Sequence, residues 1–330
     1  MKHRQRKKKT LGKKRKHKDE YNLVDRLIES PDDVLVSILS LLSLKEAATT
    51  SILSRRWRYV WPSTMALDFD AKFFDDEVYK KFRQLQPALR EQESLRYVNW
   101  VNHVVEQHRG PSIERFRGTA TNLLLNNVPF LVEVSVSERP VRIFSDEVHV
   151  YRKSIELPFT QLSCCLSQLE IFMLDIDLAV YNQDYVFPVL ANVKHLELTV
   201  KANYDMDLFH LTSFMKASPL VQRLLVDYML NFTTLAGMGP IKSAGEYPHH
   251  YLKVLEIVGY RAHTCVVQHV LHLIKSAVAL EKIIVHPVQR LNESYVRVRE
   301  AEKVEEAKAR DHAMQCLREK VPSTIEFVCL

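Results

Sequence analysis

Long apolar runs are missing from this chain. No stretch approaches the roughly 20 apolar residues that a membrane-spanning helix needs. The basic N-terminus has no apolar segment behind it, so no secretory signal is expected there. Glycine is scarce, with 7 in 330 residues. Gly237-x-Gly239 runs straight into Pro240 and opens no dinucleotide fingerprint, and no P-loop, HExxH or GxSxG occurs. Five cysteines (Cys164, Cys165, Cys265, Cys316, Cys329) form neither a CxxC pair nor a regular framework, as in reduced thiols of the cytosol or nucleus. Cys265, His269 and His272 fall at i, i+4 and i+7 on one helix face, but no fourth ligand is near, so a partly buried face is expected there and no metal. His249-His250 reads as structural or solvated. Ser, His and Asp are abundant without a spacing that would assemble them. Neither a catalytic residue nor a cofactor is expected.

Acid is absent from the first eighteen residues, which hold eleven Lys or Arg. The overall charge of +6 therefore misleads, since the rest of the chain carries 35 basic against 40 acidic side chains. Residues 1–20 are a like-charge block and are expected to be a disordered tail. Lys13-Lys14-Arg15-Lys16, with Arg6-Lys7-Lys8-Lys9 upstream, suits the acidic groove of a nuclear import receptor. The nucleus is the expected location, otherwise the cytoplasm. With its basicity in a tail and not on a folded face, the chain is expected to bind no nucleic acid, and no membrane.

What is present begins near Ser30. The spacing predicts a helix start, with Ser30 as cap, Pro31 at the first helical position, and Asp32 and Asp33 at the positive end of the dipole. Val34, Leu35, Ile38, Leu39, Leu41 and Leu42 follow at helical spacing, a stripe wider than a lone surface helix requires. A second helix is predicted from about Lys45 to Val60, carrying Ala47, Ser51, Ser54, Trp57 and Trp61 on one side.

Asp25-Arg26-Leu27-Ile28, Ser30-Pro31-Asp32-Asp33-Val34-Leu35, Ile38-Leu39, Leu41-Leu42, Lys45-Glu46-Ala47-Ala48 and Leu53-Ser54-Arg55-Arg56-Trp57-Arg58 before Trp61 resemble the plant F-box. Two positions depart from that pattern: Ser30 stands where the family has Leu, and Ser43 where it often has Pro. The resemblance implies that residues 25–64 dock on a Skp-type adaptor, with Pro31, Leu35, Ile38, Leu39, Leu42, Leu53 and Trp57 as the contact residues. Through the adaptor the chain would join a cullin–RING complex, which supplies the chemistry.

After a polar stretch at 70–95 a period appears. Leu169-x-x-Phe172-x-Leu174, Val193-x-x-Leu196-x-Leu198, Val221-x-x-Leu224-x-Val226, Leu252-x-x-Leu255-x-Ile257 and Leu280-x-x-Ile283-x-Val285 share one template, starting 24, 28, 31 and 28 residues apart. Weaker copies start at Ile113 and Leu131. This is the mark of a leucine-rich repeat, each unit giving one strand of a stacked core; evenly spaced strands of an ordinary α/β domain are the alternative. Alternate residues of each strand would face the concave side and a target protein: Ile171, Met173 and Asp175; His195, Glu197 and Thr199; Arg223, Leu225 and Asp227; with Val254, Glu256 and Val258 beyond them.

Residues 249–285 resemble the FBD domain of plant F-box repeat proteins, read as strand, Gly turn at Gly259, helix over 266–278, and strand. Ala309-Arg310-Asp311-His312-Ala313, Leu317 and Pro322 resemble the C-terminal segment of the grass-type subgroup. The expected fold is α+β: a small all-helical F-box at 25–64, an irregular α/β repeat solenoid at 95–248, an FBD-like segment at 249–290, and a C-terminal helix and strand at 291–330. The implied role is the substrate-recognition subunit of a Skp-cullin-F-box ubiquitin ligase; the competing role is a nuclear repeat scaffold or adaptor without ligase activity.

Overall fold

The computed structural model describes residues 30–42, 44–69, 87–108, 113–119, 128, 130–137, 159–160, 162–178, 185–203, 208–231, 247–288, 290–291, 294–295 and 300–330. The basic cluster at Lys13, Lys14, Arg15 and Lys16 and the segment 25–28 lie outside them, as do Ser43 and Gly237 to Pro240.

Three short helices open the fold. Helix α1 spans Asp32–Leu39, with Asp32 and Asp33 in its first turn. Pro31 is the N-cap and no side chain caps it, so the expected cap at Ser30 is corrected. The Ser30 backbone carbonyl instead accepts a hydrogen bond from the Arg56 guanidinium. The expected helix over 45–60 is broken. Helix α2 spans Leu44–Thr49, a 3-10 turn follows at Thr50–Ile52, and α3 spans Arg55–Val60. The cause is local hydroxyl chemistry, which competes with the helical backbone ladder. Thr49 and Thr50 bond back to the Glu46 and Ala47 carbonyls at 2.6 Å each. Ser54, in extended conformation, caps α3 by accepting from the Trp57 amide at 3.4 Å.

Nine strands among the described residues that follow build one parallel sheet. Strand β1 spans Ala66–Asp68, helix α4 Pro87–Gln107, β2 Arg115–Thr119, β3 Glu133–Ser137, β4 Ile171–Asp177 and β5 His195–Asn203. Helix α5 spans Thr212–Ala217, β6 Arg223–Asn231, β7 Val254–Val258, α6 Thr264–Ser276 and β8 Lys282–His286. A small hairpin of β9 (Arg290–Leu291) and β10 (Ser294–Tyr295) leads to α7 (Glu300–His312) and β11 (Glu326–Cys329). The nine-stranded sheet runs β1 to β8 in chain order and ends on β11.

Register explains the period. Leu67, Phe116, Val134, Phe172, Leu196, Leu224, Leu255, Ile283 and Phe327 are direct partners across the sheet. Two residues on, Leu174, Leu198, Val226, Ile257 and Val285 form the next row. All the template positions of the five full repeats are buried, so each strand closes its neighbour's core. Behind the sheet, Phe159 packs on Phe172 and Phe187, and Phe187 on Phe214, with ring centroids 4.3–5.7 Å apart. The sheet begins earlier than the expected boundary at residue 95, because β1 follows the helical unit directly. Helix α4 begins within the last part of what reads in sequence as a polar stretch at 70–95. Gly259, with φ 66°, makes the turn after β7 that only glycine adopts without strain.

A second ladder joins the connecting segments along one rim of the sheet. Gln168 donates to the Val128 carbonyl and Asn192 to Ser167, each at 2.5 Å. The Leu190 amide donates to Ala217, and His249 bridges the Ser218 and Ser276 carbonyls. The C-terminal helix α7 packs on the sheet: Ala309, with Ala313 and Leu317 just beyond the helix, belongs to the sheet's core, and Glu306 is buried as well.

Candidate functional site

Two surfaces stand out, and they are built on opposite plans. Among the described residues the helical unit's own core holds five buried side chains, Leu35, Leu39, Ala47, Trp57 and Val60, while Leu44 of α2 is buried in the sheet's core. Arg56 ties α3 to the start of α1 through Asp32 at 2.6 Å. With so few positions inside, other apolar side chains face out. Val34, Ile38 and Leu41 line the outer side of α1, Ile52 and Leu53 crown the break before α3 with 85% and 65% exposure, and Tyr59 projects from α3.

This placement divides the residues expected to touch an adaptor. Leu35, Leu39 and Trp57 are buried within the unit's own core, so they hold the surface in shape and do not form it. That corrects their expected contact role. Ile38 and Leu53 are at the surface; Leu42 is half-buried against the core and Pro31 exposed at the start of α1. Val34, Leu41, Ile52 and Tyr59 were missed, although the i, i+4, i+7 spacing of Val34, Ile38 and Leu41 marks a shared face.

The helical unit is locked to the sheet. The Ser40 hydroxyl donates to the Val36 carbonyl at 2.8 Å and accepts from the Met65 amide at 3.0 Å. Its own carbonyl accepts from Arg115 at 3.0 Å. The Met65 carbonyl receives the Glu114 and Arg115 amides, and Trp61 packs against both cores. The half-buried His108 ring reaches the Thr64 carbonyl at 2.9 Å.

On the sheet face opposite the core, Ile171, Met173, Asp175, His195, Glu197 and Thr199 are half-buried and reachable, and Arg223 is exposed. Leu225 and Asp227 are not reachable, at 3% exposure each, which corrects their expected role. They lie in a stretch that continues through the buried Glu256, Val258 and His286. Glu256 is the hub there. Its carboxylate meets Arg223 at 2.5 Å and the His286 ring at 3.1 Å. The His286 hydrogen bond, with Arg223 beside it, outweighs burial and holds the Glu256 pKa down to about 2. Burial, with Arg223 adjacent, lowers that of His195. His286 gave no sequence signal, because it lies outside the repeat template.

Among the described residues no group of three or more His, Cys, Asp or Glu is arranged to hold a metal. His269 is fully buried and its Nδ1 lies 2.6 Å from the Tyr228 hydroxyl, and burial brings its pKa down to about 3. His272 instead meets the Phe209 ring edge-on. His249 is buried in the rim ladder. No described helix is long and apolar enough to cross a membrane.

Comparison with known proteins agrees with these two units. An F-box domain model matches residues 31–65, and the At1g61320/AtMIF1 LRR domain model matches residues 105–330. The F-box protein At4g09920 of Arabidopsis thaliana is 33% identical over 46% of this chain and 43% of its own length. The F-box/FBD/LRR-repeat protein At5g22700 of the same plant is 54% identical over 17% of this chain and 13% of its own. The FBD-associated F-box protein At4g10400, also from that plant, is 33% identical over 46% and 34% respectively. The chain thus spans less than half the length of these relatives. With helices matched by an F-box model leading into a parallel repeat sheet whose family model covers more than half of its length, the chain belongs to the plant F-box/leucine-rich-repeat proteins.

Proposed function

We propose that the chain is the substrate-recognition subunit of a Skp-cullin-F-box ubiquitin ligase. Its F-box docks on a Skp-type adaptor, its repeat sheet holds a target protein, and the transfer chemistry belongs to the RING-bound partner enzyme. The observation that carries this reading is the outward-facing apolar set Val34, Ile38, Leu41, Ile52 and Leu53 on a helical unit that is itself locked to the sheet. Apolar side chains left in water on so small a unit are stabilised when a partner covers them, by roughly 1.5–3 kcal/mol for each large side chain. A locked junction keeps a bound target at a set distance from the adaptor, which raises the effective concentration of a target lysine near the charged enzyme.

The target surface in this reading is the accessible part of the sheet face, around Ile171, Met173, Asp175, His195, Glu197, Thr199 and Arg223. Its mixture of apolar and charged groups suits a protein ligand. Nuclear import through Lys13, Lys14, Arg15 and Lys16 is part of the same proposal, and deleting residues 2–18 is expected to move a tagged protein to the cytoplasm. The deciding experiment is co-purification of the full chain with a Skp-type adaptor and a cullin. Adaptor captured by the wild type and lost by Leu53→Asp, with the thermal melt unchanged, supports the ligase role. Adaptor captured equally by both would overturn it, and none captured by either would favour the scaffold role.

A further inference from the structure

A hydroxyl stands directly before a proline at two places in this chain, Ser30-Pro31 and Ser218-Pro219. The fold treats them differently. Ser218 is fully buried beside the rim ladder, whereas Ser30 is partly exposed at the start of the F-box. Pro31 and not Ser30 is the N-cap of α1, so Ser30 lies outside the helix. A residue before proline is held away from helical conformation, and Pro31 is itself extended, at φ −55° and ψ 153°. An extended backbone with a reachable hydroxyl is the form in which a protein kinase takes its substrate. Proline has no backbone N–H. A kinase that grips the residue after the acceptor through that group is therefore excluded, and one with an apolar seat for proline fits.

Arg56 gives the position its chemistry. Its guanidinium donates to the Ser30 carbonyl and, at 2.6 and 2.8 Å, to the Asp32 carboxylate. A phosphate on the Ser30 Oγ would hang from a residue that this guanidinium already touches. A dianion with three acceptor oxygens competes well for it against a single carboxylate. The same phosphate would stand beside the exposed Pro31, one turn before Val34 and two before Ile38 of the outward apolar set. A partner that covers those side chains must then take the charge out of water. We infer that Ser30 is a phosphorylation site for a proline-directed Ser/Thr kinase, and that its phosphate, held by Arg56, closes the adaptor face. In the transfer the γ-phosphorus of ATP parts from its bridging oxygen and bonds to the Ser30 Oγ; ADP leaves and the hydroxyl proton passes to the kinase's base. The switch rests on the adaptor-docking role proposed above.

The full chain, ATP, a purified proline-directed kinase and a purified Skp-type adaptor test this. Tandem mass spectrometry is expected to find phosphate on Ser30 and none on the buried Ser218. A peptide of residues 24–36, whose one hydroxyl is Ser30, reports whether the kinase accepts the motif. Label on the peptide but not on the folded chain overturns the inference, because Ser30 would be out of reach; so does label on neither. In calorimetric titration, phosphate on Ser30 is expected to weaken adaptor binding about tenfold or more. A phosphatase should restore it, and Ser30→Ala taken through the kinase step should bind as before. Equal affinity of the phosphorylated and unmodified chains overturns the inference and leaves the ligase role standing. Adaptor bound by neither form removes the ligase role and the switch with it. The part played by Arg56 is read by phosphorus NMR. A phosphoserine titrates near about 6, and Arg56→Gln should raise that value relative to wild type by removing the cation; equal values in both would overturn the hold by Arg56. The affinity comparison decides without that variant if it fails to fold.

Discussion

The F-box and the repeat sheet handle apolar residues in opposite ways. The sheet turns its repeated leucines, valines and phenylalanines inward, and one unbroken row of direct partners runs from Leu67 to Phe327. Among the described residues the F-box's own core holds five side chains, and at least as many large apolar side chains stand outside it. A parallel sheet with connections on one side can fill a core by stacking, whereas three helices of six to eight residues have too little interior. The F-box is therefore complete only against something else: the sheet on one side, through Leu44, Trp61 and Ser40, and in the proposed complex an adaptor on the other.

That contrast can be broken by substitution. The largest effect is expected inside the sheet. Phe172→Ala, at the centre of the buried row and under Phe159, should cost about 3–5 kcal/mol in urea unfolding; a loss below about 1 kcal/mol would mean the row is not continuous. On the F-box, Ile38→Asp should weaken adaptor binding at least about a hundredfold, since a carboxylate would enter an apolar contact, with little change in the melt. Leu35→Asp should instead unfold the F-box, and calorimetry of the two variants side by side separates surface from core.

Smaller effects sharpen the comparison at the junction and the hub. Ser40→Ala leaves the Met65 amide without its acceptor, for about 1–3 kcal/mol, and the Met65 amide should exchange with solvent faster. Glu256→Gln should cost about 1–3 kcal/mol at neutral pH. The sign with pH follows from the lowered pKa: the Glu256 contribution is full above its ordinary value of 4.5 and is lost as pH falls toward about 2. Stability measured down that range should bring wild type and variant together; a constant gap would show that the charge is not what matters. Least of all, Ser30→Leu should change the melting temperature little, because Pro31 and not Ser30 stands at the N-cap of α1. In adaptor titrations it should tighten binding by up to about tenfold.

The repeats were legible because one physical requirement, a buried face on every parallel strand, writes the same three positions each time. Leu169, Phe172 and Leu174 and their four later counterparts are all core. The helix after β7 was expected at 266–278 and stands at Thr264–Ser276. Strand β1 was not legible, since three residues at Ala66–Asp68 are too few to show a period. The break before α3 depended on the hydroxyls of Thr49, Thr50 and Ser54, in a stretch whose apolar spacing read as continuous helix. On α1 the stripe was visible but its two halves were not. Spacing alone cannot say that Leu35 and Leu39 turn inward while Val34, Ile38 and Leu41 turn outward, because that depends on where Trp57 packs. On the sheet, alternation marks Leu225 and Asp227 as outward-facing, and only the folded chain shows them covered.

Strand order makes the molecule a ruler. Neighbouring strands lie about 4.8 Å apart, and here they follow one another in chain order from β1, beside the F-box, to β8. Position in the sequence is thus position along an arm. A ligand gripped at β4 sits roughly three strand spacings, or about 15 Å, from the F-box end, and one gripped at β8 about 34 Å, less whatever the arc curves back. Adding or deleting one repeat between them would move everything farther out by a single graduation while leaving the F-box contact at Ser40, Met65 and Arg115 untouched. Changes in repeat number therefore alter reach without altering attachment.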